Sequence, residues 1–188
     1  MRDRRLAYLL VVLMWVVLAL FGTLPFLATG TLTNFADALF ESMSGITSTG
    51  ATVFASVERL PASILLWRSI TQWFGGFGIV LLVLALVPSM GINKYSLYTA
   101  EASGADNTGK QTASTAATVR QTLGVYILLT TVFVVLLHKS GMHVWDAVNI
   151  TFTNISSGGF SIYDNSLERL THTQQYIVAA AMLLSGVN

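Results

Sequence analysis

The sequence predicts an all-α integral membrane protein built from repeated helix–loop–helix units, and three observations lead to this class. Of its 188 residues, 53% are hydrophobic and only 10% are charged, whereas a soluble domain usually carries about 25% charged residues. Its longest apolar segments reach the ~20 residues that a bilayer span needs, which argues against a very hydrophobic soluble domain with shorter buried helices. An internal repeat relates the two halves of the chain.

Four apolar segments are expected to form the membrane helices. The first is too long for the ~7–15-residue core of a secretory signal, so we interpret it as a retained transmembrane helix. The last has fourteen residues, and its rise of ~21 Å falls short of the ~30 Å hydrocarbon core. The chain is therefore expected to end inside a membrane helix and to be a fragment. The segments are residues 6–28, residues 62–87 with Arg68 and Gln72 as interruptions, residues 123–138, and residues 175–188.

The distribution of charge predicts a cytoplasmic N-terminus. In that orientation six basic residues lie inside and three lie outside, as the positive-inside rule requires. The inner connection, in which a surface helix near residues 112–120 or a mobile loop is expected, is then cytoplasmic. The inner residues are Arg2, Arg4, Arg5, Lys94, Lys110 and Arg120, and the outer ones are Arg59, Lys139 and Arg169.

Composition also excludes several function classes. The net charge of +1 provides no basic surface for nucleic acid, and the absence of cysteine excludes disulfides, thiolate metal sites and a cysteine nucleophile. His138, His143 and His172 are too scattered in sequence to predict a metal site. No cofactor is expected in this chain.

The two long outer connections align with each other without a gap, at one constant offset. Asp37-Ala38-Leu39 falls on Asp146-Ala147-Val148, and residues 46–53 fall on residues 155–162. With a shift of one further residue, Gly75-Gly76 falls on Ser185-Gly186. We therefore predict a first unit at residues 1–88, a cytoplasmic connection at residues 89–121, and a second unit at residues 122–188.

Each outer connection contains a short semi-apolar segment, at residues 34–45 and 143–154. A helix of that length rises only ~18 Å, so it is expected to be re-entrant or to lie at the surface. Asp37 and Asp146 fit the first turn of such helices, and Gly45 is a plausible stop. A helix C-terminus that points into the membrane carries partial negative charge and favours a cation.

A loop of small residues follows each short segment. Irregular backbone at membrane depth is tolerated only where it is buried in protein or lines a watery cavity. Carbonyl groups in such loops can replace the hydration shell of a weakly hydrated monovalent cation, and neither loop contains an acidic side chain. The candidate ion-binding residues are Thr47, Ser48, Thr49 and Gly50 in the first loop, and Ser156, Ser157, Gly158 and Gly159 in the second.

These motifs resemble the Trk/Ktr/HKT potassium transporters. Residues 41–53 are similar to the first pore loop of that family, Gln72-Trp73-Phe74-Gly75-Gly76-Phe77-Gly78 to the helix that follows it, and residues 155–161 to the second pore loop. The resemblance implies four helix–pore-loop–helix repeats around one pore, of which this chain holds about one and three-quarters. It also implies one filter glycine per repeat, here Gly50 and Gly159, and glycine at both positions resembles the potassium-selecting members.

The resemblance further implies a function, a location and partners. The expected function is potassium uptake across the cytoplasmic membrane, without enzymatic activity, through a multi-pass protein whose pore loops face outward. Expected partners are the lipid bilayer, the missing repeats, a second copy in a homodimer, and a cytoplasmic regulatory ring that carries the nucleotide on a separate subunit. Potassium is the substrate, held at filter carbonyls, and no transition metal is expected.

Several other residues are predicted to have supporting roles. Arg68 is expected to pair with Glu41 or Asp37 behind the filter, because a cation that lined the path would repel potassium. Gly75, Gly76, Gly78 and Gly186 are interpreted as close helix contacts in preference to gating hinges.

Two alternatives remain open from the sequence. An intramembrane serine hydrolase would use Ser44 or Ser157 with one of the three histidines, although no serine–histidine pair is evident and the repeat would be unexplained. A non-conducting fragment of a transporter is the other alternative.

Overall fold

The computed structural model describes residues 2–89 and 110–186, and both stretches are built from α-helices. Most of the predicted cytoplasmic connection, including Lys94, lies outside the described residues, as do Met1 and residues 187–188. The helices are α1 (Arg2–Gly22), α2 (Leu24–Ala28), α3 (Phe35–Ile46), α4 (Ala62–Ser89), α5 (Lys110–Lys139), α6 (Val144–Ile155) and α7 (His172–Ser185).

The first apolar segment is two helices, although the sequence predicted one. The helix is interrupted at Thr23, whose Oγ1 donates to Leu20 O at 2.6 Å. Pro25 follows two residues later and has no backbone N–H with which to continue the α-helical hydrogen bonds of α1. The short helix α2 then packs Phe26 against Ala38 of α3 and Ile64 of α4. Helix α2 therefore covers the N-terminal ends of α3 and α4.

The two short helices have matching bounds. Each contains twelve residues, and α6 begins and ends at the positions that the sequence repeat pairs with the ends of α3. The N-terminal caps also correspond, because Asn34 Oδ1 accepts from Ala36 N and His143 Nδ1 accepts from Trp145 N. Helix α3 ends at Ile46, one residue beyond the glycine stop that was expected at Gly45.

The long helices differ more from the prediction. Helix α5 includes residues 112–120, which were expected as a separate surface helix or a loop, because residues 110–122 contain no glycine or proline that would end it. Helix α7 begins at His172 and not near Gln175, since Thr171 and Gln174 form a capping box. Within the described residues it extends to Ser185, with Gly186 N donating to Met182 O. The expectation that the chain ends inside a membrane helix falls on residues 187–188, which lie outside the described residues.

Helix α4 lies at the centre of the fold. It contacts both short helices, α3 and α6, while α1 covers α3 and α5 and α7 cover α6. Apolar clusters fill the space around α6, the largest including Leu137, Ala147, Ile150 and Val178. The short helices are therefore held between longer ones, with their C-terminal ends inside the structure.

Two segments of the described residues are long and apolar enough to cross a membrane, Val11–Ala28 and Ala117–Lys139. Both keep most of their side chains outside the core, with Phe21 at 67% exposure and Leu128 at 61%. The core helix of a soluble protein would bury such residues, whereas a lipid-facing helix exposes them.

Candidate functional site

The candidate site consists of two loops that directly follow α3 and α6. The first loop is residues 47–50 and the second loop is residues 156–159. Ser48 and Gly50 have φ angles of +54° and +80°, and their counterparts Ser157 and Gly159 have φ angles of +55° and +77°. The left-handed conformation thus recurs at the same two positions of both loops. The backbone dihedral angles therefore agree with the sequence alignment of the first loop with the second loop.

The amide groups of both loops turn back toward the helices. Thr47 N donates to Met43 O at 2.9 Å and Thr49 N to Ser44 O at 2.9 Å. In the second loop, Gly158 N and Gly159 N both donate to Thr153 O, at 2.9 and 3.2 Å. The free carbonyl groups at the ends of α3 and α6 are therefore partly satisfied by the loops themselves.

The carbonyl oxygens of the loops have no such partners. Within residues 2–89 and 110–186, no hydrogen bond ends on the carbonyl oxygen of any residue of the two loops. Ser156 and Gly158 are buried, whereas the other six loop residues are half-buried or exposed. Backbone carbonyl groups without an internal partner are of the chemical type that can replace water around an alkali cation.

The two loops touch each other at their glycines. A Cβ atom added to Gly50 would collide with the carbonyl oxygen of Gly158, while one added to Gly159 would meet nothing within 4 Å. Gly50 is thus required both by its positive φ and by the neighbouring loop, whereas Gly159 is required by its φ alone.

Helix α4 passes close to the ends of both short helices. A Cβ at Gly75 would collide with the backbone of Ile46, and one at Gly76 would lie 2.6 Å from Ser156 Cβ. A Cβ at Gly78 would make only an ordinary van der Waals contact, with Trp15 at 3.7 Å. Gly186 forms the C-terminal cap of α7. Only the first two of the four glycines singled out in the sequence therefore mark close helix approach.

Arg68 pairs with Glu41 and not with Asp37. Arg68 Nε lies 2.8 Å from Glu41 Oε1, and both side chains are almost completely buried. The Glu41 carboxylate also accepts hydrogen bonds from Thr52 Oγ1 and Val53 N, both at 3.0 Å. Arg68 Nη1 in turn donates to Ser161 O at 3.1 Å. The pair thus fixes the stretch of chain behind each loop and keeps the guanidinium charge neutralised.

The remaining acids singled out from the sequence lie away from the loop carbonyls. Asp37 and Asp146 occupy the first turns of α3 and α6, at the opposite ends of these helices from the loops. Their negative charges interact favourably with the positive N-terminal ends of the two helix dipoles.

Asp164 joins the segment that follows α6 to the segment between α3 and α4. Its carboxylate accepts from Ser56 Oγ at 2.7 Å and from Val57 N at 2.6 Å. These hydrogen bonds, that of Ser56 first, lower the pKa of Asp164. A cavity of about 180 Å³ lies beside it and is lined by Gly50 and Gly159, among others.

Neither serine of the hydrolase alternative is joined to a histidine. Ser44 Oγ donates to Ala51 O at 2.5 Å, and Ser157 Oγ lies 3.3 Å from Ser185 Oγ. In the same described part of the chain, His138 Nδ1 bonds with Met142 O and His143 Nδ1 accepts the cap hydrogen bond. The geometry needed for nucleophilic catalysis is therefore not formed by these bonds.

The described residues thus form a helical chain with two matching short helices, each followed by a loop whose carbonyl oxygens accept no hydrogen bond, and such carbonyl groups suit a cation-conducting protein. The family model of TrkH, described as a cation transport protein, matches residues 2–188. This chain belongs to that family, and the hydrolase alternative is not favoured.

Individual relatives agree with this assignment. The Trk system potassium uptake protein TrkH of Escherichia coli K12 is 39% identical over 186 residues, which is 98% of this chain and 38% of that protein. TrkH of Halomonas elongata is 36% identical over 178 residues, covering 94% of this chain and 37% of that protein. The crystal structure of the potassium transporter TrkH from Vibrio parahaemolyticus matches with a TM-score of 0.81 and 34% identity, over 98% of this chain and 36% of that one. The chain therefore spans a little over a third of the length of these relatives.

Proposed function

We propose that this chain supplies two of the carbonyl-lined loops of a potassium uptake pore in the cytoplasmic membrane. The observation that carries the proposal is the set of eight loop carbonyl groups without hydrogen-bond partners among the described residues, at a point where the two loops touch. The names of the relatives, which describe potassium uptake, support the choice of ion.

The chemistry of the loops suits a weakly hydrated monovalent cation. Both loops consist of serine, threonine and glycine, so carbonyl dipoles are available without a carboxylate. Divalent cations such as calcium prefer carboxylate ligands, whereas carbonyl rings select alkali cations. The C-terminal ends of α3 and α6, which adjoin the loops, add partial negative charge.

The proposal also includes the membrane orientation of the chain, its repeats and its partners. The N-terminus is cytoplasmic and the loops face outward, as the basic residues indicate. Residues 1–88 and 122–188 form successive helix–pore-loop–helix repeats, and further repeats complete the pore. A homodimer and a cytoplasmic nucleotide-binding ring are the expected partners, with the nucleotide held on that separate subunit.

Rubidium uptake into liposomes, with potassium or sodium as competitor, tests the proposal on the native-length protein. Gly50→Ser and Gly159→Ser should reduce the preference for rubidium over sodium, because both residues have positive φ. Gly50→Ser should be the more harmful variant, since its side chain also meets Gly158 O.

Gly141→Ser provides a matched control. Gly141 also has a positive φ, of +92°, and open space around a Cβ, but it lies in the connection between α5 and α6. The Gly141→Ser variant should lose as much stability as Gly159→Ser, but it should keep the ion preference of the unsubstituted protein. Uptake that potassium and sodium inhibit equally in the unsubstituted protein would contradict the proposal.

A further inference from the structure

We propose that Gln72 is a selectivity-determining positioning residue that sets the backbone of the second loop, an inference that rests on the proposed function. Gln72 belongs to α4, in the first unit, but its side chain contacts the second unit. It is completely buried, and its Oε1 accepts a hydrogen bond from Phe160 N at 3.1 Å. Phe160 directly follows Gly159, so this bond fixes the chain at the end of the second loop.

The chemistry of the amide determines its orientation. A backbone N–H group can bond only to the amide oxygen, so the NH₂ group of Gln72 must occupy the other side. This Nε2 atom is buried and has no hydrogen-bond partner within the described residues. As a donor it cannot coordinate a cation. Gln72 therefore acts on the ion through the loop backbone and not as a ligand.

Gln72 also occupies the space beside Gly158. A Cβ added at Gly158 would have the Cδ, Oε1 and Nε2 atoms of Gln72 as its three nearest neighbours, with Nε2 at 2.7 Å. The φ of Gly158 lies outside the left-handed region, so its backbone conformation does not by itself require glycine. The amide of Gln72 is what excludes a side chain there.

These two contacts lie on either side of Gly159. The hydrogen bond holds residue 160, and the packed amide holds residue 158. Arg68, one turn earlier on α4, adds a third contact through Ser161 O. The direction of the carbonyl groups at Gly158 and Gly159 is thus determined by a helix of the other unit.

The described part of the second unit has no equivalent residue. With the one-residue shift between α4 and α7, Met182 corresponds to Gln72, and its side chain is 46% exposed. Methionine has no strong hydrogen-bond acceptor. The contact therefore serves the second loop only, and a role in general packing would not predict an effect on ion preference.

The test compares rubidium and sodium uptake by the native-length protein with two substitutions of similar size. Gln72→Leu removes the acceptor for Phe160 N. We expect the ratio of rubidium to sodium uptake to fall about tenfold, because the free energy of one lost hydrogen bond changes an equilibrium by about that factor. Gln72→Glu keeps an acceptor for Phe160 N, and because burial favours the neutral carboxylic acid, this variant should retain most of that ratio. Gln175→Leu is the control, because it removes hydrogen bonds to Leu167 O and Leu170 O, away from both loops.

A second set of variants applies if Gln72→Leu does not reach the membrane. Gly158→Ala forces the amide of Gln72 away from Phe160 N and should also lower the ratio. Combined with Gln72→Ala, which removes the amide, it should add nothing to the effect of Gln72→Ala alone. Additive losses would overturn the inference.

The outcomes separate this inference from the proposed function. If the unsubstituted protein does not prefer rubidium to sodium, the proposed function itself fails. If it does, and folded Gln72→Leu keeps the same ratio or Gln72→Glu loses as much as Gln72→Leu, then only the role of Gln72 is refuted.

Discussion

The buried pair of Glu41 and Arg68 allows a quantitative prediction. Arg68→Met removes the cation and leaves the Glu41 carboxylate buried with only its bonds from Thr52 and Val53. Breaking a buried ion pair from one side typically costs about 3–5 kcal/mol. We expect a loss of that size in the free energy of unfolding.

Removing the second charge should restore part of this loss. In Glu41→Gln/Arg68→Met, the new amide oxygen still accepts from Val53 N, and the bond from Arg68 to Ser161 O is the main one lost. Because Ser161 is only half-buried, its carbonyl group can reach water, and one lost hydrogen bond amounts to about 1–2 kcal/mol. The double variant should thus be about 2 kcal/mol more stable than Arg68→Met.

Denaturant unfolding of the purified native-length protein in detergent measures this difference, with Glu41→Gln completing the double-mutant cycle. Arg169→Met is a suitable control. Its partner Glu58 lies 2.8 Å away, but both side chains are exposed, and exposed pairs contribute little. If the double variant were as unstable as the sum of the two single variants, the ion-pair reasoning would be wrong.

Two further predictions concern helix approach and pH. Gly75→Ala should destabilise the protein by about 1–3 kcal/mol, as overpacking usually does, because the new methyl group meets the backbone of Ile46. Gly78→Ala should be neutral or stabilising, because its surroundings have room for a methyl group. Equal melting temperatures of the two variants would contradict this prediction. Asp164→Ala should lower the melting temperature at neutral pH but not at strongly acidic pH. The lowered pKa of Asp164 means that its hydrogen bonds to Ser56 and Val57 stabilise the fold above the ordinary carboxyl pKa. That stability disappears as the pH falls through the lowered value, so a difference that persists at acidic pH would refute the assignment.

The sequence by itself determined the class of the protein and the location of the two loops. Segment length and composition are local properties, and they predicted the membrane helices without any knowledge of packing. The constant offset between the two outer connections also needed only the sequence, and it located Gly50 and Gly159 in matching loops. Glycine at both positions permits their positive φ, because glycine has no Cβ atom.

Helix ends were less predictable because their signals are weaker than apolar runs. The capping box at Thr171 and Gln174 sets the start of α7, whereas the apolar run by itself predicts a start near Gln175. The break at Thr23 depends on Pro25 and on the packing of Phe26 beneath it. Hydropathy alone contains neither kind of information.

Only the tertiary structure decided how the two units hold each other. The choice of Glu41 over Asp37 as the partner of Arg68 depends on which carboxylate α3 turns toward α4. The contacts of Gln72 with Phe160 and Gly158 join residues that lie far apart along the chain. The sequence presented Gln72 as an interruption in an apolar segment and as the first residue of a helix motif, and neither observation predicts these contacts. Such contacts arise when separate helices pack together, so a local pattern does not contain them. The positions of glycines that permit a left-handed backbone, in contrast, can be read directly from the sequence.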